Sequence, residues 1–138
     1  MRLLVTNTRT GQAYAIIREL REHADWISAE MYGSNRITAY TSTAALSRLV
    51  DARYVVTSPE TDWASGIVQR ENTEREERYV REIEAICKRD RIDTIFPSYD
   101  PQVYILTKNR ERFEALGVKV LAPDYETVLQ LLDKSQTL

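Results

Sequence analysis

Two short polar segments stand where a chain of this kind can do chemistry. Asn7-Thr8-Arg9-Thr10-Gly11-Gln12 follows the apolar run Leu3-Leu4-Val5, and Ser98-Tyr99-Asp100 follows Ile92 to Pro97. Each leads from a strand-like run into a helical pattern. The unpaired N–H groups of a helix start suit an anion or a polar substrate group. Arg9 can add positive charge to those amides. The hydroxyls of Thr8 and Thr10 serve either as helix caps or as ligand donors. Gly11 is the single glycine of this segment, so the G-x-G-x-x-G fingerprint of dinucleotide sites is missing. In the second segment Asp100 precedes Pro101, which reads as a helix N-cap followed by proline at the first helical position. That leaves Ser98 and Tyr99 for a ligand.

Other chemistries lack their residues. The chain has one cysteine, Cys87, and one histidine, His23, whereas a structural zinc site takes about four such ligands. Cys87 lies on an apolar helical face and reads as an inert core thiol. His23 falls at a helix end with no partner pattern for a catalytic triad. No carboxylates are paired at helical spacing for acid/base work. Glu71, Glu74, Glu76 and Glu77 read as a solvated helix start, where the positive end of the macrodipole favours acids. Trp26 and Trp63 read as packing anchors. The formal net charge of −2 and the absence of a Lys/Arg cluster point away from nucleic acid and from acidic membranes. A lone cysteine and no long apolar run fit a cytoplasmic protein.

The elements that must position these segments alternate in type. Arg2–Thr6 reads as a buried strand. Ala13, Ile16, Ile17 and Leu20 form one apolar helical face. Asp25–Met31 or Ile37–Tyr40 supplies the next strand, with turn chemistry at Tyr32-Gly33-Ser34-Asn35 between them. Thr43–Leu49 suggests a helical turn. Arg53–Thr57 is β-branched and aromatic, hence a strand. Trp63 and Ile67 anchor the polar connection that follows. Thr73 and Glu76 form a capping-box pattern ahead of a helix whose inward stripe is Val80, Ile83, Ile86 and Cys87. Ile92–Pro97 is a strand. The helix after Asp100 carries Val103, Leu106, Phe113 and Leu116, with a break near Asn109. Gly117 suits a helix C′ position. Val118–Ala122 is a strand, and Asp124 caps a last helix bearing Tyr125, Val128, Leu129 and Leu132.

Such alternation implies an α/β fold, a Rossmann-like three-layer sandwich with a mostly parallel sheet. In an open parallel sheet, ligands bind beyond the carboxyl ends of the strands where strand order reverses, here between the first and fourth strands. Both polar segments would lie at that edge.

In this order and spacing, the chain resembles the preATP-grasp domain, the N-terminal domain of ATP-grasp ligases, and within them the carbamoyl-phosphate-synthase-like proteins. The resemblance is carried by Leu3-Leu4-Val5-Thr6-Asn7; by Ser47-Arg48-Leu49-Val50-Asp51 with Ser58-Pro59; and by Ile92-Asp93-Thr94-Ile95-Phe96-Pro97-Ser98 with Asp100. Ala115-Leu116-Gly117-Val118 and the closing Leu132-Asp133-Lys134 complete it. It implies that residues 1–132 form the preATP-grasp domain and that 133–138 begin the ATP-grasp domain.

Further implications follow from the resemblance. The complete enzyme would join a carboxylate to an amine or related nucleophile through an acyl-phosphate, using ATP and magnesium, while this fragment alone is inactive and holds no cofactor. Asn7, Thr8, Arg9, Thr10, Gly11, Ser98, Tyr99 and Asp100 would face the small-molecule substrate, and Lys134 would contact nucleotide phosphate. The first segment lacks the extra glycines common in the family. The chain's partners would be the ATP-grasp subdomains of its own polypeptide. The apolar face of the last helix would belong to the core, to that docking surface or to a homodimer. The alternatives are a short protein that kept the fold and lost the catalysis, and a flavodoxin-like or other phosphate-binding module suggested by Thr6, Thr8 and Thr10. A nicotinamide enzyme ranks below both for want of the glycine fingerprint.

Overall fold

A computed structural model of the chain describes residues 1–8, 11–32, 48–59, 71–98, 100–128 and 130. Five parallel strands form one sheet: β1 (Arg2–Thr6), β2 (Trp26–Tyr32), β3 (Ala52–Val56), β4 (Thr94–Pro97) and β5 (Lys119–Val120), in the order β3-β2-β1-β4-β5. The register sets Leu4 beside Ser28 and Ile95, and Val5 beside Ala29 and Phe96. Among the described residues, helices α1 (Gly11–Leu20), α2 (Glu74–Asp90), α3 (Asp100–Lys108) and α4 (Arg110–Glu114) accompany the sheet, and residues 125–128 are also helical. A short 3-10 turn, Arg21–His23, follows α1.

The strands alternate their side chains between two cores. Leu3, Val5, Ile27, Ala29 and Met31 pack on Ala13 and Ile17 of α1. Leu4, Tyr54, Val56 and Ile95 pack on Tyr79, Val80, Ile83 and Cys87 of α2 and on Tyr104, Ile105 and Leu106 of α3. Chain order and strand order together explain the split. The path β1-α1-β2-β3 runs toward one edge, and the path β3-α2-β4-α3-β5 returns toward the other. Right-handed crossovers in opposite directions place their helices on opposite faces. Order reverses between β1 and β4, as the alternation of elements predicts.

Several boundaries differ from the sequence expectation. The fourth strand begins at Thr94 because the Ile92 amide still donates to Cys87 O, closing α2, whose C-cap Arg91 sits at φ 57°. The fifth is only two residues long and pairs with β4 at the sheet edge. α3 opens at Asp100 itself, so Asp100 is the first helical residue and not the one before it. Sequence cues place helix starts only to within a residue or two. The break near Asn109 is real: α3 stops at Lys108, and Asn109 has φ −107° and ψ 18°. Gly117 takes a positive φ of 77°. Asp124 caps the final turn by accepting from Thr127 N at 2.9 Å. Val128 is in the core and Tyr125 packs against Tyr104. Ile37–Tyr40, Trp63, Ile67, Leu129 and Leu132 lie outside the described residues.

The start of α2 overturns one expectation. Its acids are not all solvated: Glu76 is 1% exposed. The Lys108 Nζ, also buried, lies 2.9 Å from Glu76 Oε2 and 3.2 Å from Oε1. It also stands 4.5 Å from the centroid of the Tyr104 ring. The same Glu76 completes the capping box, accepting from Thr73 N at 2.9 Å while its own amide donates to Thr73 Oγ1 at 3.1 Å. Beside it, Asn72 and Asn109 exchange amide hydrogen bonds at 2.8 and 2.9 Å. Arg112 reaches both Glu77 and Glu84. The start of α2 is thus tied by polar contacts to the junction of α3 and α4. Thr73→Ala removes the cap and should lower the unfolding free energy by about 1 kcal/mol, read as a shifted urea midpoint with unchanged slope.

Candidate functional site

The C-terminal ends of β1, β2 and β4 bring the two polar segments together. Ser98 ties them: its hydroxyl donates to Thr6 O and, at 3.2 Å, to Asn7 O. Asn7 turns the chain with a positive φ of 46°, a conformation asparagine tolerates better than most residues. Its amide donates to Glu30 Oε2 at 3.2 Å. Thr8 lies over β2, its amide and hydroxyl both donating to Glu30 O, at 2.9 and 3.1 Å. Asn7, Thr8 and Ser98 are all buried.

The hydroxyls of Thr8 and Ser98 therefore hold the edge in shape, each on a neighbouring carbonyl. Gly11 opens α1 and Asp100 opens α3, the latter exposed. Arg9, Thr10, Tyr99 and Lys134 lie outside the described residues. Among the described residues, no three His, Cys, Asp or Glu side chains come together as a metal-holding group. Cys87 is buried, and desolvation pushes its thiol up to about 12, which suits a packing role.

The centre of this edge is a residue that the strand pattern hides. Glu30 is fully buried on β2, on the face covered by α2. Its Oε2 accepts from Asn7 N and, at 3.1 Å, from Tyr79 OH of α2. Its Oε1 has no hydrogen-bond partner. Burial pushes the carboxyl up to about 8, against the smaller opposing pull of Asn7 N and Tyr79 OH, while the Glu82 carboxylate adds to the rise.

Thr6 Oγ1, both amide atoms of Gln102 and, on α4, Arg110 Nε are also buried without a partner. Burying a polar group without a hydrogen bond costs about 1–3 kcal/mol, so each such group calls for an explanation. The signal in the sequence was an acid within Trp26–Tyr32. A parallel strand covered on both faces is normally apolar throughout, and Ser28 and Glu30 break that rule on the same face. Ser28 is accounted for, since its hydroxyl donates to Leu3 O at 2.9 Å.

Among solved structures, a variant of Rhizobium etli pyruvate carboxylase, determined with the allosteric activator acetyl coenzyme-A, matches over 95% of this chain with a TM-score of 0.54 and 18% identity. This chain spans 12% of that one, and the likeness is one of fold. No curated protein matches the chain. Residues 50–121, just over half of the chain, match the family described as PylC-like, N-terminal domain. That stretch runs from the lead into β3 to the residue after β5 and includes Ser98 and Gln102. The chain thus belongs to the PylC-like N-terminal domain family, the preATP-grasp domains of ATP-grasp ligases.

Proposed function

We propose that this chain is the substrate-side front domain of an ATP-grasp ligase that joins a carboxylate to an amine or a related nucleophile, and that it is inactive alone. The observation that carries this reading is the family match over residues 50–121. The buried polar edge at the ends of β1, β2 and β4 supplies the place. In this reading residues 1–132 are the domain, and 133–138 lead into the subdomains that hold ATP and magnesium. Lys134 contacts nucleotide phosphate. Asn7, Thr8 and Ser98 shape the floor of the substrate cleft. Arg9, Thr10, Gly11, Tyr99 and Asp100 are the further substrate-binding residues of this reading. ATP with magnesium would supply the phosphoryl group that turns the substrate carboxylate into an acyl-phosphate, with ADP leaving, and this domain's residues bind and orient the substrate.

The test compares residues 1–132 with the natural protein that carries the ATP-grasp subdomains. The longer protein should release ADP from magnesium-ATP only when both a carboxylate and an amine are supplied, and the front domain alone should release none. In the longer protein Lys134→Ala should raise the KM for ATP about tenfold or more, the loss of one charge-assisted phosphate contact. ADP release by residues 1–132 alone, or none from the longer protein over a broad panel of carboxylates and amines, would sink the reading.

A further inference from the structure

Asn7 leaves β1 with a positive φ of 46°, in the left-handed region. That conformation is unfavourable for a residue with a Cβ and persists only where the surroundings fix it. Four hydrogen bonds fix it here. The Asn7 amide donates to Glu30 Oε2 at 3.2 Å, and the Asn7 carbonyl accepts from the Ser98 hydroxyl at 3.2 Å. The next residue, Thr8, donates from its amide and its hydroxyl to Glu30 O, at 2.9 and 3.1 Å. Three of these bonds end on Glu30, on its side chain and its main chain together.

Glu30 is itself held. Tyr79 of α2, 0% exposed, donates its hydroxyl to the same Oε2 at 3.1 Å. The carboxyl cannot rotate away from Asn7 without giving up that bond. A neutral acid accepts both donors through its carbonyl oxygen as a carboxylate would. Burial keeps the proton on up to about 8, so the arrangement stands with the acid neutral and its proton on Oε1. The flanking residues on β2, Ala29 and Met31, are apolar and buried. Packing alone would favour a third apolar residue between them. An aliphatic side chain there would fill the core and take the Oε2 acceptor away from the Asn7 amide.

We infer that Glu30 is a positioning residue for the substrate: through Asn7 and Thr8 it fixes the turn that floors the substrate cleft. The assignment rests on the front-domain reading above. Glu30 is fully buried, so it acts through the backbone of that turn and not by touching the substrate.

The experiment has two arms. In residues 1–138, amide hydrogen exchange followed by NMR compares the wild type with Glu30→Met, Glu30→Gln and Tyr79→Phe. Glu30→Met keeps the length of the side chain and should speed exchange at Asn7 about tenfold, the loss of one buried hydrogen bond. Leu4 and Val5, paired on both sides within the sheet, should keep their wild-type rates. Glu30→Gln offers an amide oxygen to the same donors and should keep Asn7 protected. Tyr79→Phe keeps the ring and unpins the carboxyl, so it should give a smaller increase at Asn7. That variant carries the test if Glu30→Met does not fold.

In the longer protein, turnover of magnesium-ATP is followed with the fastest carboxylate–amine pair of the panel. Glu30→Met should raise the KM for one of that pair about tenfold and leave the KM for ATP in place, with Glu30→Gln recovering most of the difference. A residue that serves stability alone gives another pattern: fewer folded molecules lower kcat and leave every KM unchanged. Gly117→Ala is the control for that pattern, since it strains a positive φ ahead of β5, at the opposite end of the sheet.

Unchanged exchange at Asn7 in Glu30→Met, or in Tyr79→Phe where Glu30→Met does not fold, overturns the inference. So does a fall in kcat alone. An active longer protein whose substrate KM ignores Glu30→Met loses the positioning role and keeps the ligase reading. A wild-type longer protein that releases no ADP removes the ligase reading, and the positioning role with it.

Discussion

Lys108→Met should lower the unfolding free energy by about 3–5 kcal/mol, and adding Glu76→Leu should restore most of that loss. The expected pattern follows from burial. Glu76 and Lys108 have side chains 1% and 2% exposed, so neither charge can turn to water when the other is removed. Methionine keeps the length and the apolar stem of Lys108 and deletes only the charge, leaving a carboxylate inside the α2–α3 contact. Replacing both residues removes the stranded charge along with its partner. The recovery should fall short by about 1 kcal/mol, because Glu76 also completes the capping box with Thr73. Urea unfolding of the wild type, both single variants and the double variant forms a thermodynamic cycle. A Lys108→Met loss below about 1 kcal/mol would mean that the pair behaves as a surface ion pair, and that the start of α2 opens to solvent.

That pair also marks the limit of what the amino-acid order conveys. Signals within a few residues of one another were legible: the Thr73/Glu76 capping box, the break at Asn109, the positive φ at Gly117 and the Asp124 cap all stand where local chemistry puts them. The alternation of strands and helices was enough for the parallel sheet and for the reversal between β1 and β4. Glu76 and Lys108 are 32 residues apart, and their meeting depends on how two helices pack over one face of the sheet. No helical spacing within α2 separates an acid that is solvated from one that is covered by the next helix.

The second strand shows the same limit in another form. Asp25–Met31 lacks a clear period of two because both faces of the central sheet are covered. The sequence therefore leaves it in competition with Ile37–Tyr40, and only pairing with β1 places β2 at Trp26–Tyr32. The absent period also hid Glu30, since an acid in a weakly patterned segment reads as surface. The polar segments after β1 and β4 were legible as an edge, because that follows from topology. Their use of Thr8 and Ser98 on backbone carbonyls was not, because a hydroxyl at a helix start can cap, bind or brace with equal chemical sense.

Glu30→Gln should outlast the wild type increasingly as pH rises, gaining about 1.4 kcal/mol of relative stability for each pH unit between about 4.5 and about 8. The sign follows from proton counts. In the fold, burial keeps the Glu30 proton on up to about 8, whereas in the unfolded chain it leaves near the ordinary value of 4.5. Through that window the native state binds more protons than the unfolded state, so raising pH favours unfolding. The contribution of Glu30 is complete below about 4.5, is lost progressively as pH climbs, and stops changing above about 8. Taking the difference between the two proteins cancels the carboxylates held low by their partners, such as Glu77 beside Arg112, whose own contribution is lost only on the acid side.

Urea midpoints measured at pH 5, 6, 7 and 8 give the slope directly. A flat difference would mean that Glu30 is ionised and satisfied within the fold, and that its Oε1 is not an open position. A sloping one means that the domain sacrifices stability at neutral pH to keep an acid at the end of β2.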